Sequence, residues 1–217
     1  MKINAIITAG GTSSRFGNKN KLLEKINGRE VIKYTVDAFD KSNVDEIIIC
    51  ANKSIIDELS QIFADYDRVK IIEGGQTRQQ SVYNGLKYEI CDYVLIHDGA
   101  RPVITTELIN TCVDMVKEVD AISVMTKTID TIKEVEHGKI IKTIDRAKLY
   151  NTQTPQGFKY DLILRAHEKV KGRNFTDDAG MVEELGIGVY VVDGSYKNIK
   201  ITTQNDIELA KIYLEFS

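Results

Sequence analysis

Blocks of apolar residues alternate with blocks of helical period along most of this chain. Short runs that are largely apolar at 4–8, 46–51, 69–73, 93–97, 121–125, 188–192 and 199–202 predict strands covered on both faces. Between them, Ile55, Ile56, Leu59, Ile62 and Phe63 recur at helical steps. Leu108, Ile109, Cys112, Val113 and Val116 do the same, and Ile207, Ala210 and Leu214 predict a closing helix over 206–214. The alternation predicts an α/β fold with helices on both faces of a mostly parallel central sheet.

One stretch departs from the rhythm. Residues 126–146, "TKTIDTIKEVEHGKIIKTIDR", alternate apolar and polar positions about the turn signal His137-Gly138, which predicts a protruding β-hairpin arm. A two-stranded ribbon is marginal alone, so Ile129, Ile132, Val135, Ile140 and Ile141 need another surface. That surface is either the arm's own domain or a second subunit, and the residues favour neither. No linker or repeat interrupts the rest, which predicts a single domain over 1–217.

Composition narrows the classes. A hydrophobic share of 42% and a charged share of 28% describe an ordinary globular chain rather than a disordered one. The formal net charge of -3 gives no basic face for a polyanion, so nucleic acid is not expected as a partner. The start carries no signal-peptide plan and no apolar run is long enough to span a bilayer, so the expectation is a cytoplasmic protein without a membrane partner. Cys50, Cys91 and Cys112 form no CxxC pair and read as buried reduced thiols. His97, His137 and His167 are too scattered for a zinc site of standard spacing.

Candidate chemistry begins where the first strand ends. "TAGGTSSRFGNKNK", residues 8–21, offers glycine backbone that a phosphate can approach, then cations in Arg15 and Lys21 that can answer the charge of a polyphosphate. It matches neither the Walker loop nor the dinucleotide fingerprint. Taken alone it also reads as a solvated polar loop. Four more stretches fall at strand ends, where open α/β sheets place ligands. "GGQTRQQSVYNGL" (74–86) offers Gly75 backbone and the Ser81 hydroxyl. "VLIHDGARP" (94–102) ends a buried strand on a carboxylate. Asp98 there requires a cation or a donor: Mg²⁺, a ribose hydroxyl, or simply Arg101. "TIDRAKLYNTQTPQGF" (143–158) pairs Arg146 with Thr154, and 175–202 pairs Lys200 with Thr176.

Together these motifs resemble the 2-C-methyl-D-erythritol 4-phosphate cytidylyltransferases of the non-mevalonate isoprenoid route. The pieces are A-G-G-x-x-x-R with a following lysine, G-G-x-x-R-x-x-S-V-x-x-G-L, H-D-x-A-R-P, T-P-Q-x-F, T-D-D-A and G-S-x-x-N-I-K-I-T, in order and nearly end to end. The resemblance implies a Rossmann-like three-layer α/β/α fold of the nucleotide-diphospho-sugar transferase type and cytidylyl transfer from CTP to a sugar-alcohol phosphate. It implies transition-state roles for Arg15 and Lys21, and CTP contacts from Ala9, Gly10, Gly11, Thr12, Gly75, Ser81, Asp98 and Gly99. Arg146, Lys200, Arg101, Thr131, Thr154 and Thr176 then attend the second substrate, Asp98 holds Mg²⁺, and the arm reaches across a homodimer.

The chain departs from the family pattern at Ser13, Asn20, Lys21-Leu22-Leu23 and Gly99. Lys19 and Lys21 compete for the catalytic role, and the spacing to Ile26, Gly28 and Val31 selects Lys21. Such a reaction needs no general base, because the attacking phosphate is already ionised near neutrality. Ribitol 5-phosphate cytidylyltransferases share much of the pattern, and A-R-P, T-P-Q-G-F and T-D-D-A favour methylerythritol phosphate. A nucleotide-binding regulatory module without chemistry is the alternative of another class.

Overall fold

The computed structural model describes residues 1–11, 16 and 20–216. The chain runs β1 (Ile3–Ala9), β2 (Lys25–Ile26), β3 (Arg29–Glu30), α1 (Val31–Asp40), β4 (Glu46–Ala51), α2 (Ile56–Ile62), β5 (Val69–Glu73), α3 (Arg78–Tyr88) and β6 (Tyr93–Asp98). It continues through α4 (Thr106–Val119), β7 (Ala121–Lys127), β8 (Ile132–Glu136), β9 (Lys139–Ile144), β10 (Tyr150–Lys159), α5 (Tyr160–Lys169), α6 (Ala179–Glu183), β11 (Tyr190–Asp193) and α7 (Gln204–Glu215).

The central strands β1, β4 and β6 read as largely apolar because both of their faces are covered. Ile3, Ala5, Ile7 and Ala9 of β1 join Ile47 and Ile49 of β4 and Leu95 of β6 in one cluster, closed by Val36 and Phe39 of α1, Leu59 of α2 and Val113 and Val116 of α4. The alternate positions, Ile6, Ile48, Cys50, Val94 and Ile96, meet Val82 and Leu86 of α3 and Ile163 of α5 in a second. This is a three-layer arrangement. Helix α3 lies so close to the sheet that a Cβ at Gly85 would stand 2.9 Å from Cys50 Sγ and 3.0 Å from Ile6 Cδ1. A side chain there would overpack the second cluster.

The sheet order is β11-β7-β10-β6-β1-β4-β5. Every pairing is parallel except those of β10, which runs antiparallel to β6 and to β7. From β1 the chain winds outward through β4 and β5, then returns to β6 on the other side of β1. The order reverses there, so a crevice opens beyond the carboxyl ends of β1 and β6.

Six of the seven expected strands form, β11 starting at Tyr190 rather than 188. The seventh does not. Residues 199–202 are irregular: Ile201 donates its N–H to Ala100 O at 2.8 Å and its side chain packs with Ile26, Val31, Val103, Ile207 and Ala210 beneath α7. One hydrogen bond and one buried contact give apolar residues without a ladder. The missing strand is β10, whose Asn, Gln, Pro and Gly content hides it from a propensity reading. Its register against β7 shifts between Thr152 and Gln156, around Pro155, the kind of irregularity at which a sheet accepts proline.

The hairpin forms as expected, with His137 at φ 48° and Gly138 at φ 78° between β8 and β9, the positive pair that a two-residue hairpin turn requires. Ile129, Val135, Ile140 and Ile141 are all more than half exposed. Of the cysteines, Cys50 and Cys112 are buried as expected, whereas Cys91 is only half-buried, beside the second cluster. Burial pushes all three thiols up to about 12, which leaves them protonated and unreactive at neutral pH.

Candidate active site

The crevice beyond β1 and β6 is a cleft of about 290 Å³ lined by Thr8, Ala9, Gly10, Gly11, Lys21, Leu22, Gln76, Thr77, Arg78, Ser81, Asp98, Ala100 and Lys200. Its floor is Asp98, the last residue of a strand buried along its whole length. A buried carboxylate must be paired, and this one is met by three cations. Lys200 Nζ lies 2.9 Å from Oδ2, Arg78 Nε 3.1 Å from Oδ1, and Arg101 Nε 3.6 Å from Oδ2. Burial alone would raise the Asp98 carboxyl, but Arg78, Lys200 and Arg101 outweigh it and hold the group far below the usual carboxylate range. Asp98 is therefore an anion at any working pH.

The walls are set by backbone and hydroxyl geometry. Thr77 caps α3, its side chain accepting from Gln80 N, which aims the first turn of that helix at the cleft. Ser81 Oγ donates to Thr77 O at 2.9 Å and accepts from Gly75 N at 3.0 Å. A Cβ at Gly10 or at Gly74 would stand 2.9 Å from that oxygen, so glycine at both positions is what lets the two loops approach.

The expected residues fall into three groups. Ala9, Gly10, Gly11, Ser81, Asp98, Lys21 and Lys200 line one cleft, Lys21 Nζ donating to Ile201 O at 2.6 Å. A second group sits nearby but is engaged within the protein. Gly75 lines a neighbouring hollow that shares Gln76 and Thr77 with the cleft. Gly99 donates its N–H to Thr8 O, and Arg101 Nη1 donates to Asn198 O at 2.7 Å. Thr154 Oγ1 accepts from Asp98 N at 3.1 Å and lies 2.9 Å from His97 Nδ1. These last three shape the floor rather than face the cleft. The third group lies apart. Thr176 is exposed on the loop before α6, while Thr131 and Arg146 are exposed at the base of the arm, Arg146 bonded to Ile129 O. Thr12, Arg15 and Lys19 lie outside the described residues.

Two charged residues beside the cleft were not expected from the sequence: Arg78, and the buried Asp178, which pairs with Arg78 Nη1 at 2.7 Å. The available signal was a charged residue opening α3, where the helix dipole disfavours a cation unless carboxylates stand nearby. Among the described residues no cluster of three or more metal-ligating side chains occurs. Asp98 is the one carboxylate among the described residues that line the cleft. It fits a Mg²⁺ ion shared with substrate phosphates and not a cage made of protein ligands alone.

Comparison with known proteins gives the family and the fold. The family model of IspD, 2-C-methyl-D-erythritol 4-phosphate cytidylyltransferase, matches residues 3–216. The chain belongs to that family. The Bacillus mycoides 2-C-methyl-D-erythritol 4-phosphate cytidylyltransferase is 42% identical over 217 residues, covering 96% of each chain. Its Clostridium perfringens counterpart is 42% identical over 99% of each. Among solved structures, the 4-diphosphocytidyl-2C-methyl-D-erythritol synthase of Anaerococcus prevotii superposes with a TM-score of 0.89 at 34% identity, covering 99% of this chain and 96% of that one. The Thermus thermophilus cytidylyltransferase gives 0.83 at 26% identity, covering 99% and 100%. The chain is accordingly a nucleotidyltransferase, with the α/β fold of its relatives.

Proposed function

We propose that this enzyme transfers the cytidylyl group of CTP to 2-C-methyl-D-erythritol 4-phosphate, releasing pyrophosphate and 4-diphosphocytidyl-2-C-methyl-D-erythritol for isoprenoid precursor synthesis. The family match over residues 3–216 carries this reading, supported by a cleft that Lys21, Lys200 and Asp98 line together. An oxygen of the sugar phosphate attacks the α-phosphorus of CTP. The Pα–O bond to the β-phosphate breaks, and the electron pair leaves with pyrophosphate.

The attacking oxygen is already anionic, so the protein's tasks are alignment of two mutually repelling anions and charge for the leaving group. Lys21 and Arg15 supply the charge. Lys200, with Arg146 and Thr131 from the arm and Thr176 from the loop before α6, holds the sugar phosphate. Ala9, Gly10, Gly11, Thr12 and Gly75 carry the nucleotide, with Ser81 holding their loops in place. Asp98 would hold Mg²⁺ together with the nucleotide phosphates, and the ion would supply charge neutralisation on the triphosphate.

The exposed apolar positions of the arm support a homodimer in which the arm of one protomer completes the site of the other. No helix among the described residues is long and apolar enough to cross a membrane, and a cytoplasmic enzyme is the reading we favour. The decisive experiment is pyrophosphate release from CTP and Mg²⁺ with methylerythritol phosphate and ribitol 5-phosphate in parallel. Turnover with the first and little with the second is expected. Preference for ribitol phosphate, or no release with either, would overturn the assignment.

A further inference from the structure

A second carboxylate stands behind the first. Asp178 is fully buried and does not line the cleft, yet it pairs with Arg78 Nη1 at 2.7 Å while Arg78 Nε reaches Asp98 at 3.1 Å. One guanidinium is thus gripped at both ends. The backbone under Asp178 is fixed in turn by Gln156, also fully buried. Its Oε1 accepts from Asp178 N at 2.9 Å and Ala179 N at 3.2 Å, while its Nε2 donates to Ser123 Oγ and Asp177 Oδ2, both at 2.9 Å. His167 backs the carboxylate, Nε2 lying 3.8 Å from Oδ1, with the Tyr83 ring 5.8 Å from its imidazole.

We propose that Asp178 is a positioning residue for cytidylyl transfer, acting through Arg78 to fix the guanidinium that shares Asp98 with Lys200. The reasoning is competition for one carboxylate. Asp98 already faces three cations, and a fork-shaped guanidinium with a second anion at its far end cannot turn wholly onto Asp98 or out into the cleft. Without Asp178 the whole Arg78 charge falls to Asp98, and Lys200, which reaches that carboxylate at 2.9 Å, loses its fixed place at the cleft wall. Lysine in place of Arg78 has one point charge and grips only one carboxylate at a time. The kinetic part of this inference rests on the function proposed above.

The test uses Asp178→Asn, which keeps the shape and removes the charge, in the wild-type and Arg78→Ala backgrounds, with Arg78→Lys as a third variant. At saturating CTP, Asp178→Asn is expected to raise KM for the sugar phosphate about tenfold while kcat changes less than about threefold, and to add nothing in the Arg78→Ala background. Arg78→Lys should reproduce the loss. A buried scaffold role alone would lower the yield of active enzyme, leave KM unchanged, and act equally in both backgrounds. If Asp178→Asn does not fold, Arg78→Lys decides: wild-type KM in that variant overturns the proposal. A readout free of turnover is hydrogen exchange of the Arg78 Nη1–H, the donor that faces Asp178, followed by NMR, its signal assigned by its loss in Arg78→Lys. It is expected to exchange slowly in the wild type and at least about tenfold faster in Asp178→Asn, since a paired buried donor is protected. Unchanged exchange refutes the bridge even if the proposed reaction stands, and absent turnover in the wild type refutes that reaction without touching the exchange result.

Discussion

Lys21 and Lys200 line the same cleft, but their present partners differ and so should their losses. Lys21 Nζ donates to Ile201 O at the cleft wall, whereas Lys200 Nζ pairs with the Asp98 carboxylate. Lys21→Ala is expected to lower kcat by about 10²–10³-fold with little change in KM, the scale on which a lost transition-state donor acts. Lys200→Ala should chiefly raise KM for the sugar phosphate, by about tenfold or more, as a lost charge-assisted contact does. Steady-state kinetics with each substrate varied in turn separates the two, and equal effects on kcat from both variants would contradict the division of labour. Much of this site was legible in the chain. Asp98 stood out because a carboxylate closing an apolar strand is costly unless paired, Lys21 because it follows a glycine-rich loop, and Lys200 through the family motif G-S-x-x-N-I-K-I-T, since the strand expected at 199–202 does not form. Arg78 and Asp178 did not stand out, since their significance lies in meeting each other across about a hundred residues of chain. Thr154 was legible as a residue near the site but not in its direction, because only the fold shows its hydroxyl engaged by Asp98 N and His97.

At the scale of elements, periodicity revealed what covering layers impose and missed what local chemistry hides. Strand β4 follows the apolar pattern from Ile47 to Ala51, because burial on both faces leaves polar side chains no place, whereas the edge strand β5 is only partly covered and keeps Lys70 and Glu73 exposed. Strand β10 carries Asn151, Gln153, Pro155, Gln156 and Gly157 among its strand formers and still pairs, since its neighbours β6 and β7 supply a ladder on each side and the shift at Pro155 absorbs the missing donor. The arm was legible for the opposite reason: its pattern is local, and the turn residues start a pairing whose register shifts once, between Glu134 and Val135. What it packs against is not a local property. If the arm embraces a second protomer, Ile140 and Ile141, 64% and 52% exposed in the single chain, are covered in the dimer. The double substitution Ile140→Glu with Ile141→Glu should then weaken association by about tenfold or more, because an unpaired carboxylate in an apolar contact is costly. Sedimentation velocity reads the assembly, and circular dichroism is expected to show an unchanged fold, since neither side chain touches the core. An unaltered dimer would remove the arm from the interface.

For the molecule as a whole, building the site into the sheet makes stability depend on pH in a definite direction. His97 is buried beneath the cleft, and burial pushes its imidazole down to about 3 from 6.5. In the unfolded chain the same ring takes a proton as pH falls below 6.5, so the unfolded state binds more protons than the native one across the interval between. Its contribution is complete above pH 6.5 and drains away as the medium is acidified. Asp98 and Asp178 act in the same sense at lower pH, because their cations outweigh burial and hold both carboxyls below the unfolded value of 3.8. The expected profile is a plateau near neutrality and a fall beginning below pH 6.5, with a slope from His97 approaching about 1.4 kcal/mol per pH unit once its unfolded form is charged. Urea denaturation at a series of pH values measures this directly. His97→Gln, which cannot titrate, should flatten the fall between pH 6.5 and 4.5 even if its own stability is lower throughout. A wild-type profile flat over that interval, or one that His97→Gln leaves unchanged, would show that the buried imidazole does not carry the acid sensitivity of the fold.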